Sequence, residues 1–284
     1  MVQKALILIA ILLVGRSAVM GGTATTYPST WDKSQAGTPL PESARSGAPA
    51  FDDSFKTLSI GPEEATDVRW YAPIHSQLGA GKMASPDDRE AISVDEQGLV
   101  LRTRQPGGVD GVDVNLQSMN KAGRGFAMQN GYFEVTASLP AALGNHAGIW
   151  LLSLNGEQGH GEIDLAESYG KVDRNVHSSV HWWPNLSNSR FAKHVFLGKG
   201  FFNPGFNFQG TFHDYGVLLT AEHVIFYFDR KETRRVDRLP EQNVPFYVVL
   251  SNFTDRKREE GYEPAVMRVS RVRAWPTDAT ADKK

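Results

Sequence analysis

Short runs in which apolar residues either alternate with polar ones or fill a few consecutive positions recur along this chain, at residues 91–94, 98–103, 131–138, 177–182, 223–229, 246–251 and 265–274. None is continued by the spacing of an amphipathic helix. A period of two sends successive side chains to opposite faces of a strand. Many short strands without helices bury their apolar faces by packing sheet against sheet. The pattern therefore predicts an all-β chain, a two-sheet antiparallel β-sandwich, with no visible internal repeat.

One segment breaks the alternation in an informative way. In Gly161-Glu162-Ile163-Asp164-Leu165-Ala166-Glu167-Ser168, three carboxylates are separated only by apolar side chains. Glu162 and Asp164 share a face, with Ile163 and Leu165 on the other. Strict alternation would then turn Glu167 into the core, where an unpaired carboxylate is costly. One extra residue near Leu165 or Ala166, a β-bulge, would return Glu167 to the acidic face. Three acids on one face repel, so at least one holds its proton above the usual carboxylate range. A carboxylate beside a carboxylic acid is equipment for cleaving a glycosidic bond: one attacks the sugar carbon and the other protonates the leaving oxygen. Asp164 can orient the nucleophile between them. Repulsion from the other two charges assigns the retained proton to Glu167. The plainer alternative is a polar strand face holding a calcium ion or an Arg partner.

The flanking residues resemble glycoside hydrolase family 16, in the bulged branch that contains laminarinases and other endo-β-1,3-glucanases. The resemblance runs from about residue 51 to 276 through Gly131-Tyr132-Phe133-Glu134-Val135, Ile149-Trp150-Leu151-Leu152, the acidic motif, Val180-His181-Trp182 and Phe212-His213-Asp214-Tyr215. It continues through Phe226-Tyr227-Phe228-Asp229, Pro245-Phe246-Tyr247 with Asn252, and residues 268–273. It implies a concanavalin-like jelly roll with a concave substrate groove, and a retaining endo-β-glycanase acting on β-1,3 or β-1,3/1,4 glucosidic bonds through a covalent intermediate. Glu162 is then the nucleophile, Asp164 its assistant and Glu167 the acid/base. Trp150, His181 and Trp182 fall near the groove by the same resemblance. Trp182 and Trp183 are neighbours, so at most one faces it, and adjacent His181 and Trp182 cannot both do so without distortion; His181 is the preferred groove residue. Tyr132 shares a face with Glu134 and is read as a groove wall, and Asn252 as a donor to a sugar hydroxyl. Their alternatives are a buried Trp150, a structural histidine, a Glu134 salt bridge and a turn-stabilising Asn252.

Departures from the family pattern bear on substrate. Its usual Trp-Pro-Ala-Phe-Trp-Leu-Leu run reads His146-Ala147-Gly148-Ile149-Trp150-Leu151-Leu152, so His146 stands in place of an aromatic. The basic stretch around Arg256-Lys257-Arg258 suits either an anionic polysaccharide or a solvated loop. Ser270 stands where many members carry Asp, which weakens any case for a structural calcium; no cofactor is expected. Transglycosylation and exopolysaccharide depolymerisation are open on the same fold. A non-catalytic lectin would have no need of the acid trio.

Composition then narrows the setting. Lys4 ahead of an apolar run from Ala5 to Val14, followed by small residues, has the plan of a secretory signal peptide over 1–22, so the chain is expected to be exported, extracellular or periplasmic. The apolar run is short for a membrane span. Residues 23–50, rich in Thr, Ser, Pro, Gly and Ala, read as a mobile arm, 51–276 as the catalytic domain and 277–284 as a disordered tail. With 0 cysteines, no disulfide framework supports the fold. A formal charge of −2 with no basic stripe excludes a nucleic-acid partner. The 8 histidines are spread along the chain with no His-Glu-x-x-His motif or paired cysteines, and no Gly-x-Ser-x-Gly elbow occurs. The expected partner is a polysaccharide, and the chain a monomer.

Overall fold

The computed structural model describes residues 32–73, 82–104, 111–170, 174–185, 187, 193–254 and 264–277. The leader, the basic stretch around Arg256 and the tail after Thr277 lie outside them. Strands are numbered along the chain. One sheet runs β15 (Lys231–Asp237), β14 (His223–Phe228), β13 (Phe212–Leu219), β8 (Gly131–Ser138), β17 (Val266–Pro276), β6 (Gly98–Arg102) and β5 (Ile92–Asp95), with β1 (Phe51–Asp53) also on β17. The other runs β12 (Val195–Phe202), β11 (Val176–Pro184), β10 (Gly159–Ser168), β9 (Asn145–Ser153), β16 (Phe246–Thr254), β7 (Val112–Gln117), β3 (Trp70–Tyr71) and β2 (Ile60–Gly61), with β4 (Lys82–Met83) on β7. Pairing is antiparallel except for β2 with β3 and β4 with β7. This is the all-β sandwich that the alternation predicts.

The core lies between the sheets. Phe133, Val135 and Ala137 from β8 meet Ile149 and Leu151 from β9, Ile163 and Leu165 from β10, and Val248 and Leu250 from β16. Burying such side chains contributes roughly 1.5–3 kcal/mol each, enough to hold a fold with no cross-links. Because these strands turn one set of alternate residues inward, the other set is left for the outer face of the β12-to-β2 sheet. The site is built there.

The first and second sheets differ on their outer sides. On the β15-to-β5 sheet, Glu134 is buried and accepts hydrogen bonds from Arg230 at 2.9 Å and Arg273 at 2.5 Å. Tyr132 donates to Glu134 at 3.3 Å, stacks on Trp275, and presses so close to β13 that a Cβ on Gly216 would lie 2.1 Å from its hydroxyl. This fully buried tyrosine sits on the sheet opposite the acidic motif. It is a packing residue, and its reading as a groove wall is corrected.

The described part of the low-complexity arm is docked. Asp32 exchanges backbone hydrogen bonds with Arg235, Gly37 donates to Glu232 at 2.7 Å and Leu40 to Arg230 at 2.8 Å, along β15 and the residue before it. A short 3₁₀ turn, Glu42–Arg45, then buries Ala44 among Tyr132, Tyr227 and Trp275. Composition counted the few large apolar residues and missed that backbone groups alone can pair with an open sheet edge.

Candidate active site

The bulge sits at the predicted place. Against β9, Asp164 pairs with Trp150 and Ala166 with Ile149, leaving Leu165 as the extra residue. Against β11, the register slips between Asp164 and Glu167. Leu165 and Ala166 both enter the core, so the strand resumes with Glu167 on the same outer face as Glu162 and Asp164. Ser178 donates from its hydroxyl to the Leu165 carbonyl at 2.8 Å, satisfying a backbone group that the irregular ladder exposes.

Each acid has its own surroundings. Asp164 is 5% exposed, accepts a hydrogen bond from the Ser179 hydroxyl and lies 3.6 Å from His181 Nε2. Burial raises its pKa, opposed by the His181 hydrogen bond. Burial and the charges of Asp164 and Glu167 push Glu162 well above the usual carboxylate range. Glu167 goes the other way. Burial would raise it, but the hydrogen bond and charge of His146, the charge of Lys199 and the Tyr169 hydroxyl together bring it down to about 2. His146 Nε2 lies 3.0 Å, and the Tyr169 hydroxyl 2.9 Å, from the same oxygen, Oε1. These directions, up at Glu162 and down at Glu167, run opposite to the order that repulsion alone suggests. Counting carboxylates overlooked the hydrogen-bond donors and the lysine that strand pairing brings to one of them.

Gly148 lies across from Glu167 on β9. A Cβ there would come 2.8 Å from the Ser251 hydroxyl and 3.3 Å from the Trp150 indole, so glycine keeps this place open. Trp150 is 7% exposed, donates to Ser251 at 3.1 Å and packs with Leu152, Tyr247 and Val249 as the floor beside Asp164. His181, the register partner of Glu162, shares its face.

Two other sequence-predicted residues are elsewhere. Trp182 is fully buried in the core, and Trp183 is the tryptophan on the outer face, stacked between His160 at 5.1 Å and His194 at 4.6 Å. Asn252 is buried on the core side, donating to the carbonyls of Leu101 at 2.8 Å and Ala265 at 3.1 Å. Neither Trp182 nor Asn252 can touch a ligand on the outer face. Trp182→Ala should accordingly cost about 3–5 kcal/mol of stability, whereas Trp183→Ala should leave stability nearly unchanged and raise KM. Denaturant unfolding paired with steady-state kinetics separates them, and the reverse pattern would contradict these placements.

The histidines, scattered in sequence, converge in space. His146, His160, His177, His181 and His194 all stand on this face, from β9, β10, β11 and the approach to β12. Burial, with the neighbouring His181 and His160, takes His194 down to about 4, so it is neutral near pH 7. Its Nε2 lies 3.1 Å from His181 Nδ1, which fixes the His181 ring beside Asp164. Tyr169, Lys199 and Trp183 were also missed from sequence; parity with His181 along β11 is the signal that could have found Trp183.

Among the described residues, Glu162, Asp164 and His181 are the one grouping whose carboxylate and imidazole atoms gather within 4.8 Å. Ser270 donates its hydroxyl to the Thr136 carbonyl at 3.3 Å. No helix among the described residues is long and apolar enough to cross a membrane.

Residues 85–277 match the profile of glycosyl hydrolases family 16. Two Rhizobium meliloti proteins, endo-1,3-1,4-beta-glycanases ExsH and EglC, are each 25% identical over 251 residues, 81% of this chain and 52% of theirs. The chain thus spans about half the length of the curated relatives it matches. Among solved structures, a mutant of SCLam, a non-specific endo-beta-1,3(4)-glucanase co-crystallised with 1,3-beta-D-cellotriosyl-glucose, superposes with a TM-score of 0.67 at 19% identity, over 90% of this chain and 100% of that one. LamAcat from Zobellia galactanivorans gives 0.64 at 20% identity, over 82% and 99%. These two likenesses establish the shared fold.

Proposed function

Because the chain belongs to glycosyl hydrolases family 16, we propose that it is an exported, retaining endo-β-glycanase that cuts internal β-1,3 or β-1,3/1,4 glucosidic bonds of a polysaccharide. The observation that carries this reading is the bulge at Leu165, which places Glu162, Asp164 and Glu167 on one face. Glu162 attacks the anomeric carbon as the bond to the leaving oxygen breaks, and Glu167 delivers a proton to that oxygen. Glu167, now a carboxylate, takes a proton from water, whose oxygen displaces Glu162 and completes the cycle. Asp164, held by Ser179 and His181, steadies Glu162.

Without sugar on the face, burial and repulsion favour the protonated form of Glu162, and the donors on Oε1 favour the ionised form of Glu167. The productive form is the tautomer with that proton moved, and apparent pKa values belong to the coupled acids. Stacking on Trp183 and the Trp150 floor suits the apolar faces of sugar rings. The glycanase names of the Rhizobium relatives and the oligosaccharide bound to the SCLam mutant support a β-glucan or a glucan-like exopolysaccharide.

The test is a panel of β-1,3-glucan, mixed-linkage glucan, β-1,4-glucan and bacterial exopolysaccharides, scored for reducing ends and product length. Mid-chain cleavage of at least one β-1,3-containing polymer is expected. Release of monosaccharide alone, or no cleavage of any β-glucan, would remove the endo-glucanase reading.

A further inference from the structure

Glu167 is held asymmetrically. Both of its described partners, His146 Nε2 at 3.0 Å and the Tyr169 hydroxyl at 2.9 Å, meet Oε1, and no described side chain bonds Oε2. The partners brace each other: the His146 and Tyr169 rings stack at 4.6 Å and 19°. Lys199 from β12 donates to the Tyr169 hydroxyl at 3.2 Å and lies 4.9 Å over its ring. His177 from β11 meets the Tyr169 ring edge-on at 5.1 Å, and Phe253 from β16 closes the His146 side at 6.4 Å without charge. Among the described residues, the charged and titratable groups around His146 are Glu167 and Tyr169 directly, with Lys199 and His177 behind Tyr169. His146 and Glu167 are both largely covered, with side chains 19% and 15% exposed, so their pairing is weakly screened.

We propose that His146 is a positioning residue for Glu167: with Tyr169 it clamps Oε1, so that Oε2 is the oxygen offered to the scissile bond. When protonated, His146 also favours the ionised form of this carboxyl. The inference rests on the glycanase reading for its catalytic meaning. A clamp on one oxygen fixes the carboxyl plane, which a general acid that later serves as base must keep through both halves of the cycle. In the second half an ionised Glu167 is the form required, and the pair supplies it without delay. In the first half the proton has to reach Oε2, the oxygen that the clamp on Oε1 leaves without a described side-chain partner.

His146→Gln keeps a donor for Oε1 and removes the charge, whereas His146→Phe removes both. In the enzyme without substrate, carbon-13 NMR of the Glu167 carboxyl should show its titration midpoint rising by at least two pH units in His146→Gln. With β-glucan, the basic limb of kcat/KM should move to higher pH by one unit or more, since a nearby cation no longer helps the proton leave. KM should change less than twofold in His146→Gln, and His146→Phe should lose kcat as well. A carboxyl midpoint and a basic limb that both stay put in His146→Gln would overturn the proposal. If that variant does not fold, Tyr169→Phe removes the other Oε1 donor and should raise the midpoint by a smaller step; no rise would again count against the clamp. The NMR titration needs no substrate, so failure to cleave any glucan sinks the function reading while leaving the clamp to be judged on its own.

Discussion

Glu162→Gln should lose turnover on any β-glucan by on the order of 10⁴-fold or more, because an amide keeps the shape and hydrogen bonding of the side chain but cannot form the covalent intermediate. The fold should survive, and its stability should carry a signature. Burial and the two neighbouring acids raise the folded pKa of Glu162 above its unfolded value. A group shifted in that direction contributes stability below its unfolded pKa, and the contribution disappears as pH rises through the folded value. The wild type should therefore lose ground to Glu162→Gln as pH is raised from 4 to 8, with the variant's Tm equal or higher at the alkaline end. NMR of early products from the wild type should show retained anomeric configuration. Near-normal activity in the variant, or inverted products, would end the nucleophile assignment.

Glu167→Ala should lose roughly 10²- to 10⁴-fold on a natural polysaccharide and far less on an aryl glycoside whose leaving group needs no proton. Added azide should restore turnover on the activated substrate, because the small anion enters the space left by the carboxyl and attacks the intermediate without a general base. The vacated space is open: Gly148 lies opposite and presents no side chain. A glycosyl azide product identifies the rescue chemically. Equal losses on both substrates with no azide product would place the acid/base elsewhere.

Much of this site was legible in the residues around Leu165. An apolar pair interrupting an alternation of acids has few physical solutions, and the bulge is the one that keeps Glu167 out of the core. What the sequence could not supply was parity on strands apolar on both faces. In β16, Phe246, Val248 and Leu250 point inward while Tyr247 and Val249 point outward, so nothing local says that Asn252 belongs with the inward set. The Trp182-Trp183 pair posed the same ambiguity, and register with β10 decided it, pairing Trp183 with His160 and His181 with Glu162. The cation environment of Glu167 depends on three strands and a turn, with partners from residue 146 to residue 199, a separation no local pattern records. Repulsion among the acids was a sound first expectation. It leaves out which acid the imidazole reaches.

The docked arm changes what a minimal version of this protein would be. Both the recurrence of strands from Phe51 and the family profile from residue 85 invite a cut that removes residues 32–50. Those residues occupy the free rim of β15 with a run of backbone hydrogen bonds and roof over Tyr132 and Trp275. A chain trimmed to Phe51 would present that rim as a template for a second molecule and would uncover aromatic rings next to it. Poor solubility or self-association of such a fragment would then report a missing guard strip, not a failure of the catalytic fold.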